Sequence, residues 1–180
     1  MRTNFGCSFL KMLLTFALVG VPLAAQMVSP SLANAQDGAV VKGNDFGAEL
    51  KRPDGWESAA GNEKALAVFT HSSTQSQIEV VPTKLMTADV AEAFFSTFYK
   101  TLSDSNFESE GKPTDKTYGD HSGKETAYKF THSGVTLKVH VFSFVRGTTA
   151  WLVVGYWQDS EAEKVVPAFA STITNLKISK

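Results

Sequence analysis

The chain has 180 residues, enough for one ordinary domain and too few for two comfortable ones. Hydrophobic residues make up 43% of it and thirteen residues are phenylalanine, which excludes a disordered chain. A formal net charge of −1 announces no basic face for nucleic acid or for an anionic membrane.

Residues 1–35 differ in kind from the rest. Arg2 and Lys11 are their only charges, and an apolar run follows at residues 12–25. A small-residue segment then ends at Ala33-Asn34-Ala35. A positive start, an apolar middle and an Ala-x-Ala site describe a secretory signal peptide, cut between Ala35 and Gln36. The apolar run spans 14 residues and contains Pro22, short of the ~18–20 that cross a bilayer. Cleavage leaves 15 basic residues against 18 acidic ones, a net charge of −3. It also removes Cys7, the sole cysteine, so the exported domain is held by its apolar core without a disulfide. Cys7 lacks the preceding sequence of a lipid-anchor site. The expected location is therefore periplasmic or secreted, with no membrane span after cleavage.

Residues 36–44 are polar and read as a flexible lead-in to one domain at residues 45–180. Residues 46–50 alternate like a half-buried strand, and Pro53-Asp54-Gly55 then marks a turn before Trp56. Residues 65–71 and 77–82 read as strands joined by a polar loop. Thr87 is a good N-cap for a helix whose stripe comprises Val90, Ala91, Phe94, Phe95, Phe98 and Leu102. Those phenylalanines read as core packing before they read as a ligand groove.

Residues 103–122 form a polar connection, with room for a short strand around Phe107. The clearest hairpin follows, turning at Ser133-Gly134. That turn pairs His132 with Val135, Phe130 with Leu137 and Tyr128 with Val139. Residues 150–158 are apolar on both faces, with Trp151, Val153 and Trp157 opposite Leu152, Val154 and Tyr156. Such a strand needs cover on both sides, which predicts a central strand with helices above and below. Ser160 and Glu163 fit a capping box for a second helix with the stripe Val165, Phe169 and Ile173. Pro167 predicts either a kink or a restart. Residues 174–179 close the chain as a strand.

The segment FGAELKRPDGWE (residues 46–57), the strand QIEVV, the helix after Thr87, GKETAYKF (residues 123–130), the aromatic strand TAWLVVGYW and the terminal helix into ITNLKI together resemble the PsbP/Mog1-like superfamily, nearest in type to bacterial DcrB-like exported proteins. The resemblance covers nearly all of the exported domain. It implies an α+β fold, an antiparallel sheet with helices on both faces in an α/β/α sandwich. Its Pro-x-Gly-Trp turn implies that Trp56 is scaffold. Family members are mostly binding or assembly factors, so fold does not convert into chemistry, and no site residue is carried over.

Three chemistries are weighed and set aside. GDHSGKET (residues 119–126) has a phosphate-loop look, but it has one residue too few between its glycines and leads into a strand. Asp104, Asn106 and Glu108 have calcium-loop spacing, but Ser109 stands where glycine should make the sharp turn. The histidines His71, His121, His132 and His140 show no zinc-ligand spacing. No catalytic, cofactor-binding or metal-binding residue is therefore assigned, and no cofactor is expected. The expected function is a non-catalytic binding or assembly module of the cell envelope that contacts another exported protein. Its candidate partner-binding residues are Asp104, Glu108, Glu110, Lys112, Lys116 and His121, with residues 58–64 as a second candidate surface. The alternative is an envelope hydrolase or metal-dependent enzyme around His121 with Asp115 or Asp120.

Overall fold

The computed structural model describes residues 39–61, 63–74 and 76–179. The leader and its cleavage site lie outside these residues. Two sheets and two α-helices are built from them. In chain order the elements are β1 (Val40–Gly43), β2 (Ala48–Lys51), β3 (Glu57–Ser58), β4 (Ala67–His71), β5 (Ser76–Lys84) and α1 (Ala91–Asp104). They continue as β6 (Glu108–Ser109), β7 (Thr114–Tyr118), β8 (His121–His132), β9 (Val135–Arg146), β10 (Thr149–Gln158), α2 (Ala162–Thr174) and β11 (Leu176–Ile178).

The large sheet runs β3-β4-β5-β10-β9-β8-β6, with β7 also paired to β8. Its described pairings are antiparallel. β10 is central, as its two apolar faces require. Trp151, Val153 and Trp157 join Phe69, Ile78, Val80, Phe142 and Phe144 in a core completed by Val165, Phe169 and Ile173 of α2. Leu152, Val154 and Tyr156 face the other way, with Val81, Val139 and Val141, against Leu102 and the half-buried Phe94, Phe95, Phe98 and Tyr99 of α1. At Gly155 in β10 the Phe169 ring of α2 leaves no room for a side chain. A Cβ there would sit 2.8 Å from Phe169 Cδ2 and 2.7 Å from Trp157 Cζ3.

The β8–β9 hairpin keeps the register read from its turn, with His132 opposite Val135 and Tyr128 opposite Val139. Ser133 and Gly134 both take positive φ, at 52° and 78°, as a two-residue hairpin turn demands. Trp56 follows a turn in which its own N–H donates to the Pro53 carbonyl (3.2 Å). Gly55 sits at φ 78° there. The indole is buried in the α2-side core, edge-on to the His71 ring at 5.4 Å between centroids.

Four details depart from the sequence reading. Val40–Gly43, read as part of a flexible lead-in, is a strand paired with β2. The closing strand β11 joins β2, not the large sheet, so β1-β2-β11 form a separate three-stranded sheet. This small sheet contributes Ala48, Leu50 and Leu176 to the α2-side core. Thr87 is extended but makes no side-chain cap bond, and a 3-10 turn (Ala88–Val90) precedes α1. The proposed capping box at Ser160 and Glu163 is likewise unformed, because a 3-10 turn (Asp159–Glu161) leads into α2. α2 runs through Pro167 without a restart. Pro167 is exposed, and the Glu163 carbonyl that loses its donor lies on that same solvent side.

Candidate functional site

The polar connection at residues 103–122 is more ordered than its composition suggests. Helix α1 ends in an ion pair of Lys100 with Asp104 (2.6 Å). Asn106 then reverses the chain at φ 64°, a conformation its short polar side chain tolerates. Phe107 drops into the α1-side core and packs against Phe130 (5.2 Å). That anchor aligns β6 along β8.

From there the charged groups meet partners across strands. Glu108 pairs with Lys129 (3.4 Å). Glu110 pairs with Lys138, which also reaches Asp159 (3.9 Å). Asp115 pairs with Lys124 (3.3 Å). Lys112 is exposed at the bend between β6 and β7. Lys116 is exposed on β7 and acts on the charge of Glu125. The outer margin of the large sheet thus carries ion pairs on both faces, Glu108–Lys129 and Glu110–Lys138 on the α2 side and Asp115–Lys124 on the α1 side. A shallow, open concavity of about 440 Å³ lies on the same hairpin, lined by Asp115, Lys116, Thr117, Ser122, Gly123 and Lys124.

His121 does not belong to that margin. It is 5% exposed, and its Nε2–H donates to the Leu176 carbonyl at 2.7 Å. Its ring lies over Phe144 at 4.7 Å. Alternation along the β7–β8 hairpin puts Asp115 on the opposite face from His121. The Asp115 side chain is 90% exposed, and Asp120 is exposed at the tight turn. His121 and the two aspartates therefore form no constellation. Sequence reasoning placed His121 in an open loop because its partner, the Leu176 carbonyl, comes from the far end of the domain.

A second cluster went unread in the sequence. Tyr118 donates its hydroxyl to Glu125, and Glu125 faces His140 Nδ1 at 3.6 Å. The His140 ring packs on Trp157 at 4.6 Å. The His140 imidazole beside it holds the Glu125 carboxyl below its ordinary pKa; burial opposes this, and Tyr118 and Lys116 reinforce it. Burial, then the bond to Glu125 and its charge, push the Tyr118 phenol up. The hairpin register already sets Glu125 diagonal to His140, so this pair could have been found from Ser133-Gly134 alone. Among the described residues no three His, Cys, Asp or Glu side chains converge in a metal-binding arrangement. No helix among them is long and apolar enough to cross a membrane.

No family model and no curated protein sequence matches this chain. Solved structures do match it in fold. LpqN, a Mycobacterium tuberculosis protein involved in cell envelope biogenesis, aligns at 17% identity and a TM-score of 0.61, over 79% of this chain and 90% of its own. Cyanobacterial PsbP (CyanoP) from Synechocystis sp. PCC 6803 aligns at 13% identity and 0.53, over 83% and 98%. The Saccharomyces cerevisiae Ran-binding protein Mog1p aligns at 10% and 0.55, over 80% and 96%. Against a Bacteroides thetaiotaomicron VPI-5482 structure (12% identity, TM-score 0.58), 81% of this chain spans only half of the other, 50%.

Proposed function

We propose that this chain, whose fold is PsbP/Mog1-like, is an exported, non-catalytic binding module of the cell envelope. In this proposal the leader is removed after Ala35, and the folded domain docks to another envelope protein through the charged margin of β6, β7 and the β8–β9 hairpin. The observation that carries the proposal is the set of cross-strand ion pairs at this margin, Glu108–Lys129 and Glu110–Lys138–Asp159 on the α2 side of the sheet and Asp115–Lys124 on the α1 side. The exposed pairs Glu108–Lys129 and Asp115–Lys124 add little to stability. Mounted on strands, they present fixed alternating charge, which suits selective, salt-sensitive docking. Asp104, Glu108, Glu110, Lys112 and Lys116 stay in the proposed surface. His121 leaves it because it is buried. LpqN's part in envelope biogenesis and Mog1p's binding of Ran support a binding role for this fold without identifying the partner.

The test is in-cell photocrosslinking from position 112, compared with a position on the exposed side of α2. The proposal expects a protein adduct from position 112 that weakens with added salt and disappears in Glu108→Lys/Glu110→Lys. An adduct only from the α2 position, or one indifferent to the charge reversals, refutes it. N-terminal sequencing of the exported protein should begin at Gln36.

A further inference from the structure

β7 is an edge strand. Its register sets Tyr118 opposite His121 across the two-residue turn Gly119-Asp120, and Lys116 opposite Gly123. The pair that closes a two-residue hairpin exchanges both of its hydrogen bonds, and such pairs alternate along the ladder. Thr114, Lys116 and Tyr118 therefore turn their N–H and C=O groups toward β8. Asp115 and Thr117 turn theirs outward, where no strand among the described residues pairs with them. Residues 114–117 are exposed. Pro113, which has no N–H, bounds this open edge at one end, and the turn at Gly119 (φ 56°) bounds it at the other.

Sheets guard such edges with charge. Here the guard has two signs, one on each face. Asp115 lies on the α1 side, its side chain 90% exposed even while it meets Lys124 (3.3 Å). Lys116 is exposed on the α2 side, and the neighbouring ion pairs Glu108–Lys129 and Glu110–Lys138 leave it out. A second copy of the chain fits this edge badly. Two-fold antiparallel pairing of β7 about Asp115 or Lys116 sets like charges opposite each other, and pairing about Thr117 meets neither charge. A foreign strand with an acidic residue opposite Lys116 and a basic residue directly after it, opposite Asp115, meets both. Asp115, Lys116 and Thr117 also line the shallow concavity over β7 and β8, so side chains of an added strand have room there.

We infer that the docked envelope protein joins this sheet as an antiparallel strand on the outer edge of β7, through an extended segment in which an acidic residue is followed by a basic one. The inference rests on the docking proposed above and names its mode and the chemistry of the partner. Main-chain bonds to Asp115 and Thr117 hold the strand, and the two charges select it and fix its register.

The probe is the blocked peptide Thr-Val-Glu-Lys-Val-Thr, titrated into the purified exported protein and followed by amide NMR. It should shift the Asp115 and Thr117 amide signals and slow their exchange, leaving β10 unmoved. Lys116→Glu should weaken binding about fivefold, and a peptide with Lys in place of its Glu should recover the loss. Thr117→Pro removes an outward N–H without touching the β8 ladder. It should abolish peptide binding and the position-112 crosslink in cells, while Thr117→Ala keeps both. Should Thr117→Pro fail to fold, the wild-type titration decides. Signals that move elsewhere, no response to the peptide, or equal affinity in Lys116→Glu overturn the inference. A position-112 adduct that survives a folded Thr117→Pro also overturns it and leaves the docking itself standing. Without any position-112 adduct in the wild type the docking reading fails, and the titration still decides whether β7 accepts a strand.

Discussion

Trp56→Ala separates scaffold from site at the Pro-Asp-Gly-Trp turn. The indole is 4% exposed, and a tryptophan buries roughly 150–250 Å² on folding. At ~25 cal/mol per Å² that is about 4–6 kcal/mol. A compact denatured state already buries part of this surface and brings the figure to roughly 3–5 kcal/mol. The same range is typical of Trp→Ala truncations that leave a cavity. Loss of the edge-on contact with His71 (5.4 Å) acts in the same direction. For a domain of this size the melting temperature should fall by roughly 10 °C. Urea unfolding should show a midpoint lower by ~2 M with the slope unchanged. Below its melting temperature, the variant should still form the position-112 crosslink. A variant with wild-type urea midpoint and no crosslink would refute the argument and make Trp56 part of a binding surface.

Gly155→Ala should cost about 1–3 kcal/mol, because its methyl group meets Phe169 and Trp157 below 3 Å. Phe169→Leu added to it should recover part of that loss, a non-additivity that urea titration of both singles and the double reads directly. Glu79 has its folded pKa raised from 4.5 to about 7. Its stabilising contribution is thus full below pH ~4.5 and lost as pH rises through ~7, on the order of 3 kcal/mol. Glu79→Gln should unfold at a higher urea concentration than wild type at pH 8.5, with the advantage gone at pH 4.5. Glu125 has the opposite sign: its pKa is lowered by His140 and Tyr118, so Glu125→Gln should remove stability present above the ordinary carboxylate pKa and lost on acidification. His121→Ala should lower the melting temperature through its lost bond to Leu176 and leave the crosslink intact. Loss of the crosslink from a fully stable variant would return His121 to the docking surface.

Period-two alternation and turn chemistry made the large sheet readable. The Ser133-Gly134 turn fixes the β8–β9 register because a two-residue turn leaves no slack, and the double-faced run at residues 150–158 has no stable home except a sheet centre. β7 escaped notice because Thr114–Tyr118 is exposed along most of its length and needs no apolar alternation. β1 escaped because a short strand in a polar setting is stabilised by its partner, not by its own pattern. Glu79 stands in an obvious strand, but its burial depends on the neighbours that β4 and β10 set beside it, Val68 and Val154. His121 shows the same limit, since Leu176 stands at the other end of the domain. The charged residues at 104–116 were readable as polar, while their cross-strand partners Lys129, Lys138 and Asp159 became apparent only with the register.

The small sheet has a consequence for how the domain comes together. Leu50 in β2 is flanked on one side by Val41, a near neighbour in sequence, and on the other by Leu176, almost the whole domain away. Ser179 N–H closes the same seam on the Gly47 carbonyl (2.8 Å). The β8–β9–β10 meander pairs neighbours and can form early, whereas the β2–β11 seam must wait for the longest loop closure in the molecule. A chain emerging from its N-terminal end holds one edge of β2 open until β11 arrives. That edge is where a newly made molecule is most exposed to pairing with the wrong chain. Slow closure there, rather than loss of native stability, would set the yield of folded protein.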